Sequence, residues 1–162
     1  MENYNIRKIK KEDNQEVAAL IRAVFDELNI PKVGTAYEDP YLDLMFEEYN
    51  KPKSVYYVVE KEGRIIGSAG VAQLENEAET ICELQKMYFL PETRGLGIGS
   101  QMMAKCLQSA KDFGFEKCYL ETMPFMLDAQ KLYKKVGFEY ICSPMGSTGH
   151  TSCPVWMLKI LD

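Results

Sequence analysis

Three glycines at alternate positions, Gly95, Gly97 and Gly99, follow Arg94 and precede a segment with helical periodicity. Glycine leaves room for a ligand beside the backbone, and the first N–H groups of a helix have no acceptor within the helix. These donors and the helix dipole favour anionic oxygen, and the guanidinium of Arg94 adds a fixed positive charge. The segment therefore predicts a binding site for a diphosphate.

Two known phosphate-binding motifs do not fit this glycine segment. A P-loop requires Gly-Lys-Ser/Thr after the glycines, and no such sequence follows. The dinucleotide-binding fingerprint has the order GxGxxG, whereas this segment has GxGxG and lies deep in the chain. The alternative that stays open is a tight turn in which glycine serves only to reach positive φ.

The composition narrows the class of protein around this segment. With 162 residues the chain can bury its own core, and we expect residues 1–162 to form a single domain. The formal net charge is −5 and no Lys/Arg run could follow a phosphate backbone, so we expect no nucleic-acid partner. The five cysteines include no CxxC pair, which favours a reducing compartment and argues against a metal site. No leader-like segment and no apolar run of about 18 residues occur, so we expect a cytoplasmic protein without membrane contact.

Hydrophobic periodicity predicts a mixed order of strands and helices around the glycine segment. A short extended stretch contains Ile6 and Ile9, and the other predicted strands cover 55–59, 64–72, 79–90, 118–122, 138–142 and 155–161. The predicted helices cover 14–28, 41–46, 98–113 and 127–136. The diphosphate site would then lie between the end of a long strand and the start of a helix.

The longer stretch 83–99 resembles the core motif of the GNAT acetyltransferase family. It predicts a strand that ends near Pro91, then Arg-Gly-Leu-Gly-Ile-Gly, then an amphipathic helix. The family's second motif is matched by 119–122 and 129–138, and the order of elements extends the resemblance over nearly the whole chain. The resemblance implies an α/β (mixed α+β) fold: a single mixed sheet of about seven strands with splayed central strands, flanked by about four helices.

The same resemblance implies acetyl-CoA as co-substrate and no metal. In the family the turn binds the diphosphate, which here transfers to Arg94, Gly95, Leu96, Gly97, Ile98, Gly99 and Ser100. The exposed edge of the fourth strand binds pantetheine, which transfers to Met87, Tyr88 and Phe89, although an ordinary core strand is the alternative for these three. One position departs from the family: Met126 stands where Asn is frequent, and Gln130 on the neighbouring turn is expected to supply the missing polar contact.

Two residues occupy positions that the family uses for catalysis. Tyr133 stands where many members have the tyrosine that protonates the departing thiolate, and its alternative is a half-buried aromatic on the apolar face of a helix. Glu83 stands where histone-type relatives have a general-base glutamate, and its alternative is a solvated polar position. Strand alternation places Glu83 on one face with Gln85, Met87 and Phe89, unless a bulge breaks it. Roughly 13 Å of strand separates Glu83 from Met87, so Glu83 would need a water relay or a substrate amine that approaches from its end.

The acceptor site is expected to lie under two loops, 32–40 and 143–154. Tyr37 in the first loop and His150 in the second are the candidate substrate-binding residues, and a plain surface position is the alternative for His150. Cys153 lies close to His150, but the family transfers the acetyl group directly, so we interpret this cysteine as a packing residue.

These observations predict an N-acetyltransferase that moves an acetyl group from acetyl-CoA to a primary amine, with a small molecule as acceptor. A protein N-terminal or lysine acetyltransferase and a non-catalytic acyl-CoA-binding module are the alternatives. The negative net charge allows a small cationic acceptor such as a polyamine or an aminosugar, and the family allows a homodimer.

Overall fold

The computed structural model describes residues 3–162, in which seven strands and four α-helices alternate. The strands are β1 (Tyr4–Lys8), β2 (Val55–Lys61), β3 (Arg64–Gln73), β4 (Ile81–Phe89), β5 (Lys117–Thr122), β6 (Glu139–Ile141) and β7 (Val155–Ile160). The helices are α1 (Asn14–Leu28), α2 (Met45–Tyr49), α3 (Ile98–Asp112) and α4 (Leu127–Lys135). Most predicted bounds are confirmed to within a few residues. The helix predicted over 41–46 is misplaced, because residues 41–43 form a turn and α2 begins at Met45.

All seven strands form one sheet in the order β1-β2-β3-β4-β5-β7-β6. Every neighbouring pair is antiparallel except β4 and β5, which run parallel. The prediction of a single mixed sheet flanked by four helices is therefore confirmed. Among residues 3–162, none of the helices combines the length and the hydrophobicity that are needed to cross a bilayer.

The two parallel strands separate after a short common stretch. β4 and β5 pair only through Ile81, Cys82 and Glu83, opposite Lys117, Cys118 and Tyr119. Beyond Glu83, β4 stays paired with β3 while β5 stays paired with β7, so a wedge opens in the middle of the sheet. This is the predicted splay. It leaves one backbone edge of β4 without a neighbouring strand, and such an edge can form strand-like hydrogen bonds with a ligand.

A β-bulge at Lys86 reverses the orientation of the side chains along β4. Lys86 has a φ of 48°, and the pairing with β3 shifts between Ser68 and Gly70. As a result Leu84 and Met87, three residues apart, pack on the same face of the sheet. The alternation that placed Glu83 on one face with Met87 and Phe89 is therefore wrong beyond Gln85, because one extra residue in the strand inverts the pattern.

The sheet separates two hydrophobic clusters. α3 and α4 cover one face, where Met102, Met103 and Phe138 are buried. α1 and α2 cover the other face, where Phe25 and Met45 are buried. The wedge between β4 and β5 connects the two faces, so a ligand in the wedge can contact residues from both.

Candidate active site

The glycine turn before α3 presents bare backbone to open space. Gly95 and Gly97 have φ values of +80° and +77°, and a Cβ on either residue would have nothing within 4 Å. Gly99 is different, since a Cβ there would lie 3.2 Å from Cδ2 of Leu132 on α4. The first two glycines therefore leave a surface that a ligand can approach, and the third allows α3 and α4 to come close.

The start of α3 supplies hydrogen-bond donors to this surface. The N–H groups of Ile98, Gly99 and Ser100 lie in the first turn of the helix, where no helical acceptor precedes them. Arg94 lies beside them, and its guanidinium donates to Glu27 at 2.6 and 3.0 Å and to the carbonyl oxygen of Phe89 at 3.1 Å. The backbone N–H groups suit an anionic oxygen ligand, whereas the charge of Arg94 is paired with Glu27.

A cavity of about 580 Å³ extends from this turn along β4 into the wedge. The predicted cofactor-binding residues that line it are Met87, Tyr88, Phe89, Arg94, Gly95, Gly97, Gly99 and Ser100. The side chain of Leu96 is exposed, and that of Ile98 is buried in the core under α3. The cavity combines backbone donors at one end with the free edge of β4 at the other, which fits a diphosphate joined to an arm containing amides.

Gln130 lies beside this cavity but has other partners. Its Nε2 donates to the carbonyl oxygen of Met123 at 2.7 Å, and its Oε1 accepts from the hydroxyl of Tyr140 at 2.7 Å. Its amide therefore holds the turn between β5 and α4. Met126, at the start of α4, lines the cavity and presents a thioether where an amide was expected.

A second cavity of about 180 Å³ lies on the α1 side of the sheet. It shares four lining residues with the first cavity: Met87, Tyr88, Met126 and Tyr133. The two cavities therefore meet in the wedge, beside the free edge of β4. A molecule in one cavity can contact a molecule in the other only at this junction.

Tyr133 lies at the junction with its hydroxyl unpaired. The residue is 7% exposed, and its hydroxyl makes no hydrogen bond to the described residues. Since no fully buried side-chain nitrogen or oxygen in residues 3–162 lacks a partner, this hydroxyl must open into a cavity. Burial raises the pKa of Tyr133 to about 12, so the phenol carries its proton at neutral pH.

Glu83 lies in the wall of the smaller cavity, where β4 and β5 part. Its side chain accepts a 2.6 Å hydrogen bond from Nε2 of Gln85. Burial raises the pKa of Glu83 to about 7, and the hydrogen bond from Gln85 opposes this effect. A carboxyl group with a pKa near 7 can accept a proton and release it again at physiological pH.

A buried ion-pair network, which sequence reasoning did not find, closes the same cavity. Nζ of Lys86 lies 2.6 Å from Oδ2 of Asp39, and Nε2 of His150 lies 3.0 Å from Oδ1. Burial opposes ionisation of Asp39, but the hydrogen bond from His150 and the charge of Lys86 outweigh it and lower its pKa. The network joins β4 to both loops that were predicted to cover the acceptor.

The two predicted acceptor-binding residues lie in different surroundings. His150 lines the smaller cavity. Tyr37 is not among the residues that line it: its ring packs on Phe25 with centroids 5.5 Å apart, and Nζ of Lys32 lies 4.8 Å above the ring. Cys153 lines the cavity, and burial raises the pKa of its thiol to about 12, which disfavours the nucleophilic thiolate.

The smaller cavity has more carboxylates than cations near its inner wall. Glu121 accepts from the hydroxyls of Tyr119 and Thr148, both at 2.6 Å. Asp39 is balanced by Lys86, whereas Glu83 and Glu121 have no cation paired with them in the described structure. The cavity therefore favours a ligand that carries a positive charge or several hydrogen-bond donors.

Comparison with known proteins gives one consistent result. The model of the acetyltransferase (GNAT) family matches residues 13–138. The uncharacterized N-acetyltransferase YjgM of Escherichia coli K12 is 41% identical over 157 residues, which cover 96% of this chain and 94% of that protein. A GNAT-family acetyltransferase of Staphylococcus aureus Mu50 has a TM-score of 0.85 at 20% identity, covering 98% of this chain and 99% of its own. The PaiA N-acetyltransferase of Thermoplasma acidophilum, solved in complex with coenzyme A, has a TM-score of 0.74 at 19% identity, covering 98% and 99%.

Proposed function

Because this chain belongs to the acetyltransferase (GNAT) family, we propose that it transfers an acetyl group from acetyl-CoA to a primary amine of a small molecule. The observation that carries this proposal is the meeting of two cavities at Tyr133. The larger cavity suits the donor, and the smaller one suits the acceptor. Acyl transfer requires the two reactants to meet at such a junction.

The donor fits the larger cavity by its chemistry. Acetyl-CoA supplies a thioester at the end of a pantetheine arm, which is joined to a diphosphate. The turn at Gly95 and Gly97 and the first N–H groups of α3 would bind the diphosphate. The free edge of β4 at Met87, Tyr88 and Phe89 would bind the amides of the arm.

Glu83 is the general base of the proposed reaction. A neutral amine attacks the carbonyl carbon of the thioester, and its nitrogen becomes positively charged as the new bond forms, so it must lose a proton to give the amide. Glu83 lines the acceptor cavity with a pKa of about 7, and it can take that proton directly or through one water. The bond between the acetyl carbon and sulfur breaks in the same reaction.

Tyr133 supports the departure of sulfur. Its hydroxyl has no hydrogen-bond partner in the described part of the chain, and its proton is retained at neutral pH. It donates a hydrogen bond to sulfur as negative charge develops there, and it keeps its own proton because the pKa of the phenol lies above that of a thiol. CoA leaves as a thiolate, which takes its proton from water.

A small acceptor is favoured over a protein. The cavity holds about 180 Å³, and loop 143–154 covers it. That loop is held down by the contact of His150 with Asp39 and by a 3.0 Å hydrogen bond from the N–H of Ser152 to the carbonyl oxygen of Gly34. A peptide chain would need a long open groove, whereas a small cationic amine such as a polyamine or an aminosugar suits a small cavity lined by Glu83 and Glu121.

Calorimetric titration of acetyl-CoA tests the donor half of the proposal. We expect the wild type to bind and Gly97→Glu to lose binding, because a carboxylate in the turn would repel the diphosphate. Gly114→Glu is the matched control: Gly114 also has positive φ and open space around an added Cβ, but it lies at the far end of α3. If the folded wild type did not bind acetyl-CoA, the glycine segment would be only a tight turn.

An acceptor screen tests the other half. Small diamines, aminosugars and amino acids are incubated with acetyl-CoA and the wild type, and acetylated products are detected by mass spectrometry, with peptides and intact proteins in parallel. Acetylation of peptides alone would favour a protein acetyltransferase. Binding of acetyl-CoA without any acetylated product would favour a non-catalytic module.

A further inference from the structure

Gln85 lies between Glu83 and a buried phenol. Its Nε2 donates to Oε1 of Glu83 at 2.6 Å, and its Oε1 accepts from the hydroxyl of Tyr49 on α2. Tyr49 and Glu83 are 5% and 6% exposed. The three side chains form a hydrogen-bonded chain from α2 to the splay point of β4, and the first and last members are buried.

The hydrogen-bonding properties of Tyr49 and Glu83 determine which way the Gln85 amide faces. Burial raises the pKa of Tyr49 well above its ordinary value, so its phenol retains a proton that it can donate. Donation to the amide oxygen leaves the NH2 end of Gln85 facing Glu83. An ionised carboxylate can only accept hydrogen bonds, so the reverse orientation would place the amide oxygen against negative charge.

The second carboxylate oxygen of Glu83 remains available for a ligand. Oε2 makes no hydrogen bond to any of the residues 3–162, and no fully buried side-chain oxygen in that range lacks a partner. Oε2 therefore opens into the acceptor cavity, which Glu83 lines. One oxygen is held by the protein, and the other can receive a proton.

Other groups near Glu83 also affect its ionisation. The charged or chargeable ones are Lys86 on β4, Glu121 on β5 and His150 in loop 143–154. Phenols and thiols with an electrostatic interaction with Glu83 are Tyr49, Cys118, Tyr119 and Cys153. None of these groups donates a hydrogen bond to Glu83, and Gln85 alone among residues 3–162 does so.

We propose that Gln85 and Tyr49 are positioning residues, which hold Glu83 so that Oε2 faces the acceptor amine and stabilise its ionised form. This inference rests on the proposed function, in which Glu83 accepts the proton of the amine. Gln85 acts through its hydrogen bond to Glu83, and Tyr49 acts one step further away by fixing the orientation of the Gln85 amide. Neither residue needs to contact the reacting atoms.

The titration of Glu83 can be measured on the protein alone, without an acceptor. Protein labelled with 13C at the glutamate side-chain carboxyl is titrated by NMR, and the Glu83 signal is assigned from its loss in Glu83→Gln. We expect Gln85→Leu to raise the titration midpoint by about one pH unit, because a charge-assisted hydrogen bond to the ionised form is lost. Tyr49→Phe should raise it by a smaller amount.

Gln108→Leu is the matched control, since Gln108 lies exposed on α3 and donates only to Asp112. In Gln108→Leu the titration midpoint of Glu83 should equal that of the wild type. An unchanged midpoint in folded Gln85→Leu and Tyr49→Phe would overturn the inference, whether or not the protein acetylates an amine. A shifted midpoint in a protein that transfers no acetyl group would instead uphold the positioning role and count against the proposed function.

Discussion

His150 and Asp39 are 111 residues apart in the sequence, and Nε2 of His150 lies 3.0 Å from Oδ1 of Asp39. The carboxylate can only accept, so this nitrogen carries the hydrogen. The contact joins loop 143–154 to the loop between α1 and α2, above the smaller cavity. Asp39 also binds Lys86 at 2.6 Å, so one carboxylate connects both loops to the bulge in β4.

Asp39→Asn should weaken the attachment between loop 143–154 and the loop that connects α1 to α2. We expect the KM for the acceptor to rise about tenfold, because a charged hydrogen bond contributes about 1.5–3 kcal/mol. The affinity for acetyl-CoA should not change. The free energy of unfolding should fall by about 3 kcal/mol, since Lys86 would keep a buried charge without its partner. Steady-state kinetics, calorimetry and denaturant unfolding measure the three effects.

The control for this variant is Asp43→Asn. Asp43 pairs with Arg22 on the surface, where its side chain is 65% exposed, so we expect little change in stability or kinetics. An Asp39→Asn enzyme with wild-type acceptor KM would show that the loops stay closed without the network.

Glu83→Gln should remove most of the activity and leave donor binding intact. Loss of a general base typically lowers kcat by a factor of about 10²–10⁴. In the wild type, kcat/KM should rise with pH up to about 7, because Glu83 with a pKa of about 7 acts only when ionised. The variant should lack this acidic limb in a pH profile measured with the acceptor found by the screen.

Glu75→Gln is the control for this variant, because Glu75 lines the same cavity as Glu83 but is exposed. It should keep the rate and the pH profile of the wild type. If Glu83→Gln retained both, the role of general base would belong to another group.

Tyr133→Phe should lower kcat about 10–100-fold without a measurable loss of stability. The hydroxyl has no hydrogen-bond partner among residues 3–162, so its removal leaves no buried group of that range unsatisfied. Tyr56→Phe is the reverse case, because the Tyr56 hydroxyl donates at 2.9 Å to Ser68 or to the carbonyl oxygen of Lys86. Thermal unfolding should show a loss of about 1–3 kcal/mol for Tyr56→Phe. Wild-type kcat in Tyr133→Phe would exclude it as the hydrogen-bond donor to sulfur.

Cys153 should be chemically inert. Its thiol has a pKa of about 12, whereas Cys142 is exposed. Iodoacetamide should therefore alkylate Cys142 first, as measured by mass spectrometry of the intact protein. Cys153→Ala should keep its activity, and no acetyl group should accumulate on the protein when acetyl-CoA is added without acceptor. An acetylated Cys153 under these conditions would contradict direct transfer.

Local patterns predicted the glycine turn and the start of α3 well. Positive φ at Gly95 and Gly97 and the start of α3 follow from a few neighbouring residues, and the structure has them where the sequence predicted. The sequence could not locate the bulge at Lys86, because nothing in its residue type requires a left-handed conformation. The contact of Asp39 with His150 depends on two loops that meet only in the folded chain. Gln130 was assigned by proximity along a helix, but its amide bonds to Met123 and Tyr140 instead.

The bulge at Lys86 allows the two ends of β4 to change independently. Glu83 and Gln85 before it line the smaller cavity, whereas Met87 and Phe89 after it line the larger one, so a substitution at Gln85 need not disturb a ligand in the larger cavity. New acceptor amines could therefore be accommodated by substitutions in the first half of β4, while the residues that would bind acetyl-CoA stay the same. Directed evolution of acceptor choice should accordingly concentrate its library on Gln85, Lys86 and loop 143–154, and leave Glu83 and 87–100 unaltered.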